Sequence, residues 1–226
     1  MNPGFQYLKD RGLTSKTLQV FHMAYYDGAK FYGHSTTLNS PFISSFQTYL
    51  CSYLKKVTDE KGKHRWDDCV IFPVLDLYGK PVAFFARRLN GKPKFDATTF
   101  AKAEILFGLH QTCSDVVDKG SIFITEGIFD FMMLWQQGVR NCTCSMGVSL
   151  TFEQLCLAAR FTSNFNIVYD PDRAGKAGAA KVRRLIQQHN YNCKNIILDE
   201  LCDLDEYLIK YGVQRFLRYA KDSGRV

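Results

Sequence analysis

Six carboxylates of this sequence could act together as ligands for a cation. They follow apolar, strand-like runs in the second half of the chain, and two pairs among them share a spacing of two residues. The six are Glu126, Asp130, Asp170, Asp172, Asp203 and Asp205. Like charges held close together raise one another's pKa, so such a cluster is unfavourable unless protons or cations neutralise it.

An oxygen-only ligand set selects a hard metal ion. Because neither His nor Cys belongs to this set, we predict Mg²⁺, with Mn²⁺ as a substitute. Magnesium held by few carboxylates keeps waters and binds substrate phosphates, which indicates phosphoryl or nucleotidyl transfer. The alternative is that each acidic residue is an ordinary turn or helix-cap residue, as a D-x-D in a loop usually is. Their shared placement, at the same end of different predicted strands, favours a common site.

Strand and helix patterns alternate from Ser121 to the end of the chain. The predicted strands are SIFITE, NCTCS, NIVYD and KNIILDE, and helical patterns follow each of them. This alternation predicts an α/β fold, in which helices flank a parallel sheet on both faces. Functional groups of such sheets collect at the carboxyl ends of the strands, which is where the acidic residues fall. Gly127 is expected to permit the tight turn after Glu126.

The first part of the chain has a different pattern. Two short helices are predicted near the start, the second capped by Thr14. The stretches CVIFPVLD and PVAFFARRL then predict a β-hairpin with Gly79 in its turn, and Pro73 indicates an edge strand or a bulge. We therefore predict a smaller, basic, mixed α+β subdomain over residues 1–120 and the α/β domain with its C-terminal helix over residues 121–226.

Basic and aromatic residues alternate in and after the predicted hairpin. Such a surface suits a polyanion, because neutralising phosphates releases counterions and aromatic faces can stack on bases. The alternative is a solvated cationic face over a phenylalanine core. The basic residues are Lys80, Arg87, Arg88, Lys92, Lys94 and Lys102, and Asp96 is the acidic residue among them.

The composition is that of a globular protein, with 46% hydrophobic and 23% charged residues and a net charge of +7. No apolar run reaches the length that spans a bilayer and the start lacks a signal-peptide core, so we expect a cytoplasmic protein without a membrane partner. The eight cysteines form no paired C-x-x-C motifs, and no zinc site is predicted. Cys142 and Cys144 are expected at alternate positions of a strand.

Two motifs carry a resemblance to a known family. TEGIFD and VYDPDRAG resemble the E-G-x-x-D and D-x-D-x-A-G signatures of TOPRIM domains, which serve primases, topoisomerases and nucleases. Further stretches resemble, in order and over almost the whole chain, the RNA polymerase domain of bacterial DnaG-type primases. They are YLKDRGLTSKTLQVF, VIFPVLDLYGKPVAFFARRL, KPKF, FAKAEILFGL and CDLDEYLIKYG.

The resemblance implies a DNA primase catalytic core that makes short RNA primers from NTPs on a single-stranded DNA template. It implies that the six carboxylates bind metal, with Glu126, Asp170 and Asp172 closest to the chemistry. Arg87, Lys94 and Lys102 match basic residues that face template and nucleotide, and Arg88 adjoins them. In this reaction a ribonucleotide 3′-hydroxyl attacks the α-phosphate of an incoming NTP, and pyrophosphate leaves.

The sequence departs from the family pattern in three ways. No stretch matches the family's zinc-binding module or its helicase-interaction region, so template recognition and helicase coupling either come from elsewhere, through a separate zinc-binding module or a replicative helicase as partner, or do not occur. Asp67, Asp68 and Cys69 stand where the family tends to have arginines. The last acidic pair reads DLD where DPD is common. A compact primase of a phage or mobile element would fit these departures.

Two other functions compete with the primase. A TOPRIM-type metal-dependent nuclease would use the same carboxylates, although it leaves the primase-like first part unexplained. A non-catalytic nucleic-acid-binding subunit would bind DNA without needing Glu126 or Asp172. A topoisomerase is disfavoured, because 226 residues leave no room for a strand-passing domain with a nucleophilic tyrosine.

Overall fold

A computed structural model describes residues 2–27, 31–33, 66–147, 149–198 and 200–222. Much of the stretch from residue 23 to 66, where short strands and loops are predicted, lies outside the described residues. The chain divides into two compact units, Met1–Leu75 with Lys80–Phe100, and Asp76–Gly79 with Ala101–Val226. No helix in the described part of the chain has the length and apolar character needed to cross a membrane.

Among its described residues, the first unit contains two short helices and a five-stranded antiparallel sheet, in the order β2-β1-β3-β4-β5. Both predicted helices form, and the Thr14 hydroxyl caps the second by accepting from the Thr17 backbone N–H at 3.3 Å. The elements are α1 (Pro3–Asp10), α2 (Ser15–Val20), β1 (Ala24–Tyr26), β2 (Phe31–Gly33), β3 (Cys69–Leu75), β4 (Pro81–Arg88) and β5 (Phe95–Ala97).

The predicted hairpin is confirmed as β3 and β4. Every residue of β3 is buried, and Gly79 in the connecting turn has a φ of 79°, which favours glycine. Among the described strands, β1 pairs with β3 only over Cys69–Ile71, so Pro73 pairs on the β4 side alone and lies at a local edge, as one interpretation predicts. The register between β3 and β4 also shifts at Val74/Leu75, next to Pro73, which supports the interpretation as a bulge.

The second unit is built on a four-stranded parallel sheet in the order β7-β6-β8-β9. A short 3₁₀ turn at Lys102–Glu104 precedes its first helix. The strands are β6 (Ile122–Thr125), β7 (Cys142–Cys144), β8 (Asn164–Val168) and β9 (Asn192–Asn195). The helices are α3 (Leu109–Lys119), α4 (Ile128–Gln136), α5 (Phe152–Ala159), α6 (Arg173–Gln188) and α7 (Leu204–Asp222).

Helix α3 is an element that the sequence pattern missed. Leu109 and Val116 on this helix join the apolar core on one face of the parallel sheet, and the buried Thr112 hydroxyl donates to the Cys142 carbonyl at 2.8 Å. Apart from Asp76–Gly79, the second unit begins at Ala101, whereas the sequence places the change of pattern near residue 120. The reason is that the segment before the first parallel strand packs against the sheet.

Two details of the second unit differ from expectation. Strand β9 pairs with β8 over Asn192–Asn195 and shares only Lys194 and Asn195 with the predicted KNIILDE strand, so the apolar IIL follows the strand. Helix α7 is interrupted at Gly212, which has φ 76° and ψ 161°. At the start of α5, Thr151 and Gln154 form a capping box. Cys142 and Cys144 are both buried at alternate positions of β7.

Candidate functional site

The carboxyl edge of the parallel sheet holds the acidic residues of the first two motifs. Glu126 follows β6 directly, and Asp130 lies in the first turn of α4, where the helix dipole favours a negative charge. Asp170 comes two residues after the end of β8. Asp172 is the N-cap of α6, and its carboxylate accepts from the Gly175 backbone N–H at 2.7 Å.

The third acidic pair reaches the same edge from the start of α7. Asp203 precedes this helix, and its carbonyl accepts the Tyr207 backbone N–H at 2.9 Å. Asp205 is buried in the first turn, and its backbone N–H donates to Asp130 Oδ1 at 3.1 Å. This buried bond ties the beginning of α7 to the beginning of α4, although 75 residues separate the two in the sequence.

Burial and mutual repulsion raise the pKa values of Glu126, Asp130 and Asp170. Burial raises the pKa of Glu126 to about 7, and the charges of Asp170 and Asp172 add to it, while a hydrogen bond from the Asp170 backbone N–H acts in the opposite direction. The pKa of Asp170 rises to about 6 through burial and then through Asp203, Asp172 and Asp205.

Asp130 is a buried member of the set. Burial, followed by the charges of Asp205 and Asp170, raises its pKa well above the usual range of an aspartate. The structure thus brings the six predicted carboxylates into one electrostatic neighbourhood.

Two glycines allow the backbone to come this close. Gly127 has φ −98° and ψ 149°, which any residue can adopt, so the expected need for a tight turn is not what favours glycine here. A Cβ at Gly127 would instead overlap Asp130 Oδ2. A Cβ at Gly175 would overlap the backbone carbonyl oxygen of Asp170, so this glycine lets α6 begin directly beside the end of β8.

A buried polar network beneath the edge was not predicted from the sequence. The Ser145 hydroxyl lies 2.8 Å from the Gly147 carbonyl and 2.9 Å from the Tyr169 hydroxyl. The Cys144 thiol lies 3.2 Å from the carbonyl oxygen of Glu126. Together these contacts join the loops that follow β6, β7 and β8. They therefore help to position the carboxylates that these loops carry.

The chemistry of the donors fits a hard divalent cation. All the acidic ligands offer oxygen, and the buried Glu126 Oε2 has no hydrogen-bond partner in the described part of the chain. Within the same residues, no three His, Cys, Asp or Glu side chains form a group that could hold a metal by themselves. Such a site would need water or substrate oxygens to complete the coordination of Mg²⁺, which commonly keeps such ligands.

Lys102 lies in the same unit as the carboxylates. Gln154, which is 1% exposed, donates from Nε2 to the carbonyls of Lys102 at 3.0 Å and of Ile105 at 2.8 Å. Burial raises the pKa of the Cys144 thiol to about 12. The negative charge of Asp130 also raises this pKa, and the positive charge of Lys102 lowers it. Lys102 is therefore near the end of β7, held there by the capping residue of α5.

The other predicted basic residues belong to the first unit. Arg87 Nε donates to the Tyr7 hydroxyl at 3.2 Å, and its guanidinium lies 4.8 Å from the centre of the Phe95 ring. Arg88 pairs with Asp96 at 3.8 Å, so Asp96 partly neutralises it. Lys94 is exposed.

Asp67, Asp68 and Cys69 stand where the family tends to have arginines, and the structure gives two of them a structural role. Asp68 accepts hydrogen bonds from the Tyr25 hydroxyl at 2.8 Å and from Asn90 Nδ2 at 3.2 Å. Cys69 is buried in the core of the first unit. At least Asp68 and Cys69 thus serve the packing of the first unit.

Two family models match the chain in succession. Residues 2–113 match the N-terminal domain of the DNA primase catalytic core, and residues 123–208 match the Toprim-like family. Among curated proteins, the DNA primase of Aquifex aeolicus is 28% identical over 98% of this chain and 45% of its own length. That of Halalkalibacterium halodurans is 32% identical over 72% of this chain and 28% of its own length.

Solved structures share the fold. The Aquifex aeolicus primase structure with zinc-binding and RNA polymerase domains superposes with a TM-score of 0.81 at 24% identity, covering 98% of this chain and 56% of that one. A DnaG primase catalytic domain bound to single-stranded DNA gives 0.77 at 24% identity, with 96% and 73% covered. The chain spans less than half the length of the curated relatives described above.

Proposed function

This chain belongs to the family of DnaG-type DNA primase catalytic cores, and we propose that it synthesises short RNA primers on single-stranded DNA. The observation that carries the proposal is the group of six carboxylates at one sheet edge, whose mutual repulsion calls for cations there. A polymerase that joins nucleotides supplies both a divalent metal and negatively charged phosphates to such an edge.

Glu126, Asp170 and Asp172 are the residues we expect to hold Mg²⁺, with Mn²⁺ as a substitute. Bound there, the ion would lower the pKa of the primer 3′-hydroxyl and stabilise charge on the α-phosphate. Asp203 adds negative charge from the start of α7. Asp130 and Asp205 are buried and joined by a hydrogen bond, so their main part is to fix the edge.

The basic residues are proposed to bind the nucleic acid and the nucleotide. Arg87 is held between Tyr7 and Phe95, so its guanidinium is preorganised, and Phe95 is 39% exposed and can stack on a base. Lys94 is exposed beside Phe95. Lys102, whose backbone carbonyl accepts a hydrogen bond from Gln154, is proposed to contact a phosphate. Arg88 contributes less, because Asp96 already pairs with it.

The test is primer synthesis with purified protein. Single-stranded DNA templates, the four NTPs and Mg²⁺ or Mn²⁺ should give short RNA products, and Asp170→Asn should remove them by about 100-fold or more. Asp118→Asn is the matched control, because Asp118 is an exposed aspartate at the end of α3. Product from Asp170→Asn at the wild-type rate would contradict the proposal.

The same assay separates the competing activity. Metal-dependent cleavage of DNA or RNA without NTPs would identify a TOPRIM nuclease instead. If templates alone give no product, the assay is repeated with a helicase and a separate zinc-binding module, the partners that the family resemblance implies. We also propose a cytoplasmic location and an origin in a phage or mobile element.

A further inference from the structure

A cavity of about 660 Å³ lies at the amino-terminal edge of the parallel sheet. It is bordered by the residues that begin β6, β8 and β9 and by the part of α7 that follows Gly212. The acidic residues described above lie at the opposite, carboxyl ends of the same strands. The cavity is therefore a separate site on the second unit, and its volume falls in the range of small-molecule sites, roughly 300 to 1,000 Å³.

The wall that the sheet contributes is polar, which is unusual for a parallel sheet. Strands of such sheets are normally buried on both faces and apolar throughout. Here β8 and β9 alternate, and the register pairs Asn164 with Asn192 and Asn166 with Lys194 on the face that lines the cavity. The helices of the core cover the opposite face, where Phe165 and Ile167 lie.

Hydrogen bonds hold the carboxamides of this wall in place. Asn192 Nδ2 donates to Asn164 Oδ1 at 2.8 Å, and Asn164 Nδ2 donates to the Gly120 carbonyl at 2.8 Å. Asn166 Nδ2 lies 3.4 Å from the Ile122 carbonyl. These bonds leave the side-chain oxygens of Asn166 and Asn192 as acceptors and one N–H of each amide as a donor, so the wall can both donate and accept.

The opposite wall is cationic. Gln214, Arg218 and Lys221 are spaced at four and three residues, so they share one face of α7, and Lys194 reaches the cavity from β9. Among the described residues, no Asp or Glu lines the cavity, and no carboxylate pairs with Lys194, Arg218 or Lys221. The rim therefore carries positive charge that the described protein does not neutralise.

An apolar surface completes the cavity. Phe123 on β6 lines it and packs against Phe216 with ring centres 5.7 Å apart, and Leu217 is 37% exposed beside them. We propose that this cavity binds a mononucleotide. The base would lie against Phe123 and Leu217, the fixed carboxamides would bond its edge, and the cations would bind its phosphate.

The experiment measures binding of AMP by titration calorimetry in EDTA, so that no divalent metal contributes. We expect wild-type protein to bind AMP more tightly than either adenosine or inorganic phosphate. The double variant Lys194→Glu/Arg218→Glu should bind AMP at least 10-fold more weakly. Lys181→Glu, which changes an exposed lysine on α6, should bind as wild type does, and so should Asp170→Asn.

A second measurement does not depend on a variant. In NMR spectra of the wild-type protein, AMP should shift the side-chain amide signals of Asn164, Asn166 and Asn192. Absence of AMP binding, equal loss in Lys181→Glu, or loss in Asp170→Asn would overturn the proposal. So would binding of a six-nucleotide DNA without binding of AMP, because the site would then belong to a strand. None of these results depends on whether the protein makes primers.

Discussion

The basic hairpin of the first unit and the acidic edge of the second handle their charges in opposite ways. In the hairpin, Arg88 pairs with Asp96 and Arg87 rests between aromatic rings, so the protein itself accommodates these cations. At the acidic edge, burial and repulsion raise the pKa of Glu126 and Asp170. The first unit therefore accommodates the hairpin's charges with its own side chains, whereas the edge gathers carboxyl groups whose charged forms burial and repulsion disfavour.

The largest expected effect is at Asp170 on the acidic edge, where a substitution should lower activity and raise stability. Asp170→Asn removes a repelling charge, so the metal-free protein should melt at a higher temperature while primer synthesis falls by about 100-fold or more. Calorimetric melting in EDTA and the primer assay measure the two quantities. If Asp170→Asn were inactive and also melted at a lower temperature than wild type, Asp170 would be a structural residue. That result would contradict the contrast between the two regions.

The second effect is a loss of stability at a position that supports the edge. Gly175→Ala places a Cβ against the Asp170 carbonyl, so we expect a loss of about 1 to 3 kcal/mol in the free energy of unfolding. Urea unfolding measures it. Ala174→Ser, at the exposed neighbouring position of α6, is the control and should change little. An equal stability for Gly175→Ala would contradict the close approach of α6 to β8.

The variant Gln154→Ala tests whether Lys102 contacts a phosphate of the nucleotide. Because the Gln154 carboxamide bonds two carbonyls of the Lys102–Ile105 segment, its loss leaves buried acceptors and costs about 1 to 3 kcal/mol. If Lys102 contacts a phosphate, KM for NTPs should rise more than kcat falls. Gln187→Ala, an exposed glutamine on α6, is the control. A change in stability with unchanged KM would limit Gln154 to a structural part.

The acidic edge should also make the stability of the protein depend on pH. In the folded, metal-free protein the pKa values of Glu126 and Asp170 are about 7 and about 6, above their ordinary values of 4.5 and 3.8. The folded state then binds more protons than the unfolded state between about pH 4 and 7, so stability falls as pH rises through that window. Melting temperatures from pH 5 to 8 should show this decline.

The decline should be smaller in Glu126→Gln/Asp170→Asn and in wild-type protein saturated with Mg²⁺, because each removes the repulsion. A decline of the same size in all three samples would assign it to other groups.

The smallest effect is expected in the hairpin. Arg88→Met keeps most of the side chain's apolar volume and removes the ion pair with Asp96, whose two side chains are 17% and 9% exposed. We expect a loss of about 1 kcal/mol and a modest loss of primer synthesis. Lys80→Met, on the hairpin's connecting segment, serves as the control. A loss of activity as large as that of Asp170→Asn would mean that Arg88 binds substrate directly.

The positions of the acidic residues could be predicted because they follow from local patterns. SIFITE and NIVYD mark the ends of β6 and β8, and the parallel arrangement brings those ends together. Helix α3 was missed because its sequence, LHQTCSDVVDK, has few apolar residues and its burial depends on the sheet. β9 was misplaced because the NCKN strand faces the polar cavity and lacks the apolar run expected of a parallel strand.

The contacts that support the site could not be predicted. The overlap that favours Gly127 depends on the orientation of the Asp130 side chain, and the bond between Asp130 and Asp205 joins residues 75 positions apart. The network of Ser145 and Tyr169 likewise requires three loops to meet. Local patterns specify which residues reach the edge, whereas tertiary packing specifies how they are held there.

Direct measurement of metal binding tests the central claim. Mn²⁺ is titrated into metal-free wild-type protein at pH 8 and the free ion is followed by electron paramagnetic resonance. We predict that wild type and Asp118→Asn bind Mn²⁺ alike, that Mg²⁺ competes, and that Glu126→Gln/Asp170→Asn binds at least about 10-fold more weakly. Equal Mn²⁺ binding by the double variant and wild type would contradict the assignment of this edge as the metal site.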